Sequence, residues 1–71
     1  MKNWILTKRK AAINLSQVCE INYAYHAELG GWNVRAYFPF TIEEIQEWVL
    51  LQVFETEEDA VNYISTIIDS K

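Results

Sequence analysis

Few residues in this 71-residue chain have side chains suited to covalent or acid–base chemistry. The chain contains one histidine, His26, and one cysteine, Cys19. A hydrolytic triad needs a nucleophile, a base and an orienting group in contact. Residues 18–27 are predicted below to form a strand. On that strand Cys19 and His26 would lie on opposite faces and ~23 Å apart, which excludes a cysteine–histidine pair. Glu28 shares a face with His26, but we expect His26 to be a solvent-facing or loop residue and Cys19 a small buried hydrophobe.

Metal ions and phosphate groups also lack a recognisable binding motif. Glu43, Glu44 and Glu47 are close in sequence, but nothing indicates that they are buried, and no calcium-loop spacing is present. The glycine pair Gly30–Gly31 lies in a predicted hairpin and does not resemble a phosphate loop. The sequence therefore predicts a protein that is not an enzyme, with no catalytic residue, no metal ligand and no cofactor.

Composition places the chain among small folded domains. Hydrophobic residues make up 51% and charged residues 23%, which excludes a disordered tail. The length allows one domain over residues 1–71. The longest apolar run, Trp48–Leu51, is far shorter than the ~18 residues of a membrane span. Because a single cysteine also agrees with a reducing compartment, we expect a soluble, cytoplasmic protein that is not exported and does not bind membranes.

The charged residues are unevenly distributed along the chain. Ten acids against six bases give a net charge of −4, which disfavours direct binding to nucleic acid. Bases crowd the first ten residues and acids the last third: Lys2, Lys8, Arg9 and Lys10 against Glu43, Glu44, Glu47, Glu55, Glu57, Glu58 and Asp59. We interpret Lys8–Lys10 as a solvated turn between two short strands rather than an anion site.

The C-terminal residues carry the clearest local pattern. Thr56 is followed by three acidic residues and then by apolar residues at helical spacing. The Thr56 hydroxyl can accept a hydrogen bond from the backbone of Asp59, and the helix dipole favours acids in the first turn. These features predict a helix that starts after Thr56. Its core-facing stripe is expected to contain Ala60, Ile64 and Ile67, flanked by Val61 and Ile68.

The middle of the chain changes to two-residue periodicity and is rich in β-branched and aromatic residues. Apolar and polar residues alternate from Trp32 to Phe40, and Pro39 marks the end or an edge of that strand. Residues 18–27 alternate in the same way, and Gly30–Gly31 lies between the two runs. The pattern predicts a hairpin in which the glycines supply positive φ angles.

Two periodicities compete between Pro39 and Phe54. Residues 41–44, Thr-Ile-Glu-Glu, form a capping box that could open a helix through Val49. Residues 48–54 are rich in strand formers and lead directly into the Thr56 cap. We predict a single helical turn over Ile42–Ile45 followed by a strand over Glu47–Phe54.

Two shorter strands, Trp4–Thr7 and Ala11–Leu15, are expected around the basic turn. Short connections make strands that are neighbours in sequence neighbours in space. The predicted fold class is therefore α+β, with an antiparallel sheet of four to five strands in meander order and one C-terminal helix packed on a face.

The predicted sheet carries more apolar residues than one helix can cover. The last strand is apolar on both faces, with Val49, Leu51 and Val53 on one and Trp48, Leu50 and Phe54 on the other. Aromatic residues and arginine are enriched at interfaces. The candidate interface on the face away from the helix consists of Arg35, Tyr37, Trp48 and Leu50, with Glu20 at its edge. The alternative is that Trp48 and Phe54 pack inward on a curled sheet, or that the N-terminal strands fold over this face.

Two segments carry a resemblance. Residues 14–18, Asn-Leu-Ser-Gln-Val, lead to Ile21, and residues 51–60, Leu-Gln-Val-Phe-Glu-Thr-Glu-Glu-Asp-Ala, lead to Ile64. Together they resemble the layout of short uncharacterised proteins from Gram-positive bacteria and their phages, which begin with a tryptophan-containing strand. This chain differs in having Lys8–Lys10 where a glycine turn is usual and in inserting residues 40–46. The resemblance implies no catalytic residue, and it implies a prophage or mobile-element origin.

These observations lead to three hypotheses of function. The first is a non-enzymatic protein-binding domain that forms a homodimer or higher oligomer and acts as an inhibitor or adaptor of a host protein. The second is a protein that sequesters a small molecule or nucleotide, with Tyr37 and Trp48 stacking on a planar ring and Arg35 or the basic turn holding an anionic group. The third is an acidic mimic that blocks a DNA-binding enzyme.

Overall fold

The computed structural model describes residues 4–69, so Lys2 lies outside the described part. It contains two antiparallel sheets and one helix. The strands are β1 (Trp4–Leu6), β2 (Ala12–Asn14), β3 (Glu20–His26), β4 (Gly31–Ile42) and β5 (Ile45–Phe54), and the helix is α1 (Glu57–Asp69). β1 pairs with β2, and the order of the second sheet is β3-β4-β5. The predicted α+β class is confirmed, but the strands are divided between two sheets instead of forming one.

The hydrophobic core lies between α1 and one face of the three-stranded sheet. Val34 and Ala36 on the central strand are fully buried, and Leu51 from β5 packs with them. Ala60 and Ile67 are the buried residues of α1. The core also includes Leu15, which follows β2, and against it pack the partly buried Ile5, Ile13, Ile21, Tyr63 and Ile64. Within residues 4–69, α1 is the one α-helix, and no helix has the length and apolarity needed to cross a membrane.

The helix start predicted from sequence is confirmed. The Asp59 backbone N–H donates to Thr56 Oγ1 at 3.1 Å, and the first turn carries Glu57, Glu58 and Asp59. The buried face of α1 is narrower than predicted, because Val61 and Ile68, which were expected to flank it, are exposed. Tyr63 replaces them in the packing: its ring lies 5.2 Å from the ring of Phe54, centroid to centroid.

The loop between β3 and β4 uses both glycines, as predicted. A short 3₁₀ turn, Ala27–Leu29, ends at Gly30, which has a φ of 93°. Gly31 begins β4, and a Cβ atom there would collide with the backbone carbonyl of Phe54 on β5. Glycine is therefore required at residue 31 by the close approach of two strands.

The predicted helical turn over Ile42–Ile45 is wrong. β4 continues through Ile42, Glu43 and Glu44 form a two-residue turn with φ angles of 55° and 68°, and β5 begins at Ile45. Both turn residues therefore adopt the left-handed conformation of a type I′ hairpin turn. Pairing of Ile42 with Ile45 continues the ladder of two long strands, which outweighs the local capping box. The strand predicted over Glu47–Phe54 is confirmed and starts two residues earlier.

Two irregularities in the β4–β5 ladder change which side chains share a face. Tyr37 pairs with Trp48 and Thr41 with Gln46, so residues 38–40, including Pro39, bulge opposite Glu47. Pro39 thus lies in a bulge and does not end the strand. The second bulge is at Leu51, because Arg35 pairs with Leu50 and the preceding Val34 with Gln52.

The bulge at Leu51 reverses the side-chain alternation of the last residues of β5. Phe54 therefore turns toward the core, where it contacts Tyr63. Val53 pairs with Asn33 and lies on the opposite face. The sequence-based assignment of Phe54 and Val53 to faces is wrong for this reason.

Candidate interaction surface

All five residues of the predicted interface lie on one face of the three-stranded sheet, opposite α1. Antiparallel register aligns Glu20, Tyr37 and Trp48 in one row across the three strands. The next row contains Asn22, Arg35 and Leu50. Directly paired residues place their side chains on the same face. We call the surface formed by Glu20, Arg35, Tyr37, Trp48 and Leu50 the outer face.

The centre of the outer face is an arginine stacked on a tryptophan. The guanidinium carbon of Arg35 lies 4.3 Å from the centroid of the Trp48 ring. The Tyr37 ring lies 6.4 Å from the Trp48 ring at an interplanar angle of 38°. Trp48 is 40% exposed. The alternative interpretation placed both Trp48 and Phe54 in the core. Phe54 packs there, whereas Trp48 does not.

Arg35 has a second partner that the sequence analysis did not identify. Its Nη2 lies 2.9 Å from Nε2 of the half-buried His26, the last residue of β3. Because arginine can only donate, Nε2 of His26 is the acceptor in this contact. His26 has the same strand parity as Asn22, which pairs with Arg35, so their shared face could have been recognised from sequence.

Glu20 is engaged elsewhere on the outer face. Its Oε2 accepts a hydrogen bond from Asn22 Nδ2 at 2.7 Å. The side chain of Glu20 is exposed, whereas Arg35 is half-buried. Arg35 contacts His26 and Trp48 rather than Glu20.

A buried amide lies beside Arg35 on the central strand. Asn33 is 0% exposed, and neither its Oδ1 nor its Nδ2 has a hydrogen-bond partner in the protein. The Nε atom of Arg35 is also buried without a protein partner. A buried polar group left unpaired costs ~1–3 kcal/mol. This part of the sheet is therefore less optimised for stability than the core under α1.

The basic turn contacts the outer edge of β5. Lys8 N–H donates to the carbonyl of Leu50 at 2.9 Å, and Lys8 Nζ lies 3.4 Å from Gln52 Oε1. Lys8, Arg9 and Lys10 are exposed, as predicted for a solvated turn. A groove of about 300 Å³ lies where this turn meets β5 and is lined by Thr7, Lys8, Arg9, Trp48, Val49 and Leu50. The groove is continuous with the outer face through Trp48 and Leu50.

The β4–β5 hairpin projects beyond the rest of the sheet. Pairing with β3 ends at Tyr37, so residues 38–47 form a two-stranded extension, which we call the arm. Phe40, Ile42 and Ile45 on the arm are 54%, 56% and 65% exposed. Phe38 and Phe40 stack with centroids 5.6 Å apart, and Gln46 Nε2 donates to the Phe38 carbonyl at 2.9 Å. The sequence feature that could have revealed the arm is the pair Ile42 and Ile45 on either side of two residues. We interpreted residues 42–45 as a helical turn instead.

A separate cavity of about 500 Å³ lies between the N-terminal strands and α1. Its lining includes Trp4, Leu6, Leu15, Tyr63 and Ile67. Burial raises the pKa of the Tyr63 phenol above its usual value of 10.0. None of Arg35, Tyr37 and Trp48 lines this cavity.

Cys19 and the acidic side chains are the remaining candidates for chemistry. Cys19 is exposed, contrary to the prediction that it is buried, because it precedes the first paired residue of β3. Its Sγ lies 3.5 Å from Gln46 Nε2. Across residues 4–69, no group of three or more His, Cys, Asp or Glu side chains is arranged to hold a metal ion.

Comparison with protein-family models, with curated proteins and with solved structures finds no match for this chain.

Proposed function

We propose that this chain is a non-enzymatic protein-binding domain that self-associates through its outer face. The observation that carries this proposal is the stacking of Arg35 on the partly exposed ring of Trp48. Arginine, tryptophan and tyrosine are the residues that most often provide the binding energy of protein interfaces. Here Arg35, Trp48 and Tyr37 form one contiguous group on a face that α1 does not cover.

The group is also held in place before any partner binds. Arg35 contacts both the Trp48 ring and His26 Nε2, and these two partners restrict the conformations of its long side chain. Fixing a flexible side chain on binding costs ~0.5–1.5 kcal/mol, and a pre-ordered side chain avoids much of this loss. An arginine that is restrained in this way is better suited to an interface than a freely solvated surface arginine.

The size of the chain favours association as well. A chain of 71 residues obtains limited stability from a single core. The exposed Phe40, Ile42 and Ile45 of the arm add apolar area next to the outer face that a partner would bury. In a second role, the domain binds a host protein. This role is suggested by the resemblance to small phage proteins.

A second candidate function, sequestration of a small molecule, is favoured by the cavity of about 500 Å³ near Trp4 and Tyr63. Its volume is in the range of ligand-binding pockets. The ligand would bind there rather than on Arg35, Tyr37 and Trp48. The acidic-mimic hypothesis has no specific observation in its favour, because the acids of residues 57–59 are accounted for by the helix start.

Native mass spectrometry of the purified protein at ~100 μM tests both candidates, since specific interfaces have dissociation constants well below this concentration. We expect a dimer or higher oligomer without a retained ligand. Trp48→Ala should give a folded monomer, whereas Trp4→Ala, which removes an exposed tryptophan elsewhere, should leave the oligomer intact. A monomeric wild-type protein contradicts self-association, and a retained small molecule lost in Trp4→Ala supports sequestration.

A further inference from the structure

The arm ends in a concentration of negative charge. Glu43 and Glu44 form its turn, both exposed, and Glu47 lies near its base. Non-glycine residues in the left-handed region cost energy, and glycine or asparagine is the usual choice in such a turn. Two glutamates therefore occupy a turn for which their backbone conformation is unfavourable. This use of glutamate is explained if the charge of the turn is needed for an interaction.

The complementary charge lies on the same chain. Lys8 and Arg9 line the groove beside β5, together with Trp48 and Leu50 of the outer face. A projecting acidic turn and a groove with a basic rim fit each other in charge, and charge complementarity steers and selects partners at interfaces. Within one molecule, Leu50 of β5 lines the groove. The tip of the arm lies further along the same strand, away from the groove.

The direction of β5 determines how two copies can be arranged. β5 is an edge strand of its sheet and runs from Ile45 beside the arm tip to Leu50, where the basic turn is attached. Two copies whose outer faces pack on each other with their β5 strands antiparallel bring the arm tip of each copy to the basic turn of the other, because the tip and the turn are separated by about five residues, or ~17 Å, along β5. A two-fold arrangement repeats the same contact twice and closes as a dimer.

We propose that the arm tip of one copy, Glu43 and Glu44, docks on the basic turn, Lys8 and Arg9, of a second copy in a reciprocal dimer. This inference rests on the proposed self-association and names its partner and its contact. The exposed Phe40, Ile42 and Ile45 are carried by the same arm and are covered by the second copy. The groove, the edge of β5 and the Trp48 ring belong to one continuous dimer surface.

A charge-swap experiment tests the contact. The tip-reversed variant is Glu43→Lys/Glu44→Lys, and the turn-reversed variant is Lys8→Glu/Arg9→Glu. Alone, each variant places like charges at both contacts, and we expect the dissociation constant of the dimer to rise at least about tenfold. Mixed together, the two variants restore opposite charges at both contacts. The mixed pair also carries the same total charge as the wild-type dimer.

Native mass spectrometry and sedimentation velocity of the separate and mixed variants provide the measurement. The expected result is weakened dimers of each variant alone and a heterodimer close to wild-type affinity in the mixture. The control for the tip-reversed variant is Glu28→Lys/Glu55→Lys, which changes the net charge by the same amount and sign at exposed positions outside the arm and should leave the dimer intact.

The outcomes separate this inference from the proposal on which it rests. A wild-type monomer at ~100 μM overturns both. Dimers that survive both reversals, or that are lost in both and do not reappear on mixing, overturn the docking of the arm tip but leave self-association standing. Circular dichroism shows whether each variant is folded. Should a variant unfold, the salt dependence of the wild-type dimer decides: no weakening between ~50 and ~500 mM salt overturns the contact.

Discussion

Arg35 and Trp48 form a cation–π contact across the β4–β5 ladder, with the guanidinium carbon 4.3 Å from the ring centroid. The two residues come from adjacent rows of the sheet, since Arg35 pairs with Leu50 and Trp48 with Tyr37. The guanidinium also forms a hydrogen bond with His26 Nε2 at 2.9 Å. A contact of this kind is worth ~0.5–1 kcal/mol when exposed and more when a partner removes it from water. Its main contribution is therefore expected in the associated protein.

Arg35→Ala should weaken the oligomer by ~2 kcal/mol or more while the monomer stays folded, because it removes the central group of the outer face. Arg35→Lys keeps the charge but loses the planar stacking surface, so we expect an intermediate effect. Sedimentation velocity across a concentration series gives both values. Unaltered assembly in Arg35→Ala, with a stability change below ~1 kcal/mol, would identify Arg35 as an ordinary surface residue.

His26→Ala should release Arg35 from one of its two partners and weaken the oligomer. A hydrogen bond to a charged group contributes ~1.5–3 kcal/mol, and part of it is recovered through water. His26→Gln is the matched variant, since its amide oxygen can accept from Arg35 Nη2. The measurement is the dissociation constant of the oligomer for the three proteins. Equal values for alanine and glutamine would show that the acceptor at residue 26 has no role in assembly.

Thr56→Ala should lower the free energy of unfolding by ~1 kcal/mol, because the Asp59 N–H loses its acceptor at the start of α1. In a domain of this size the melting temperature then falls by ~4–8 °C. Thr66→Ala is the control: its hydroxyl donates to the Asn62 carbonyl within the helix, and alanine is a better helix former. Equal melting temperatures for Thr56→Ala and wild type would place the helix start elsewhere.

Stability should fall at alkaline pH through Tyr23. Its hydroxyl donates to Glu57 Oε2 at 2.9 Å, and this hydrogen bond, together with the negative charge of Glu57 and some desolvation, raises the pKa of Tyr23 above 10.0. A group whose pKa is raised on folding adds stability at pH values below the unfolded-state pKa and loses it as pH rises through the folded-state pKa. The contribution is therefore complete below pH 10 and declines above it.

Urea unfolding between pH 8 and pH 11 measures this contribution. Tyr23→Phe should be less stable than wild type at pH 8 and should lose less on going to pH 11. Tyr63, whose pKa is raised by burial, keeps some alkaline sensitivity in that variant. Tyr25→Phe, at an exposed tyrosine on the same strand, should behave as wild type. Parallel pH profiles for Tyr23→Phe and wild type would contradict a role for the Glu57 hydrogen bond.

The arm turn should separate stability from association. Glu43→Asn/Glu44→Gly replaces two residues at positive φ with the preferred type I′ pair, which should raise the free energy of unfolding by ~1–2 kcal/mol. The same change removes the acidic tip and should weaken the dimer. Glu43→Lys/Glu44→Lys, which keeps the unfavourable backbone, should weaken the dimer without the gain in stability. Unfolding at low protein concentration, where monomers predominate, provides the comparison.

Features whose hydrogen bonds or periodicity lie within a few neighbouring residues could be predicted from the sequence. The Thr56 cap, the helix behind it, the loop with Gly30 and Gly31 and the antiparallel α+β class belong to this group. The shared face of Arg35, Tyr37, Trp48, Leu50 and Glu20 also followed, because strict alternation is enough to assign faces wherever the ladder is regular.

The irregular positions of the β4–β5 ladder could not be predicted from the sequence, because they depend on contacts between distant residues. A bulge at Leu51 sent Phe54 to the core, and a second bulge at residues 38–40 carried β4 through Pro39 into the arm. The position of a bulge depends on the partner strand, and a shift of one residue reverses every face beyond it. The turn at Glu43 and Glu44 formed for the same reason, since long-range strand pairing outweighed a local helix signal. The pairing of Arg35 with His26 rather than Glu20 likewise depended on how side chains from separate strands meet in space.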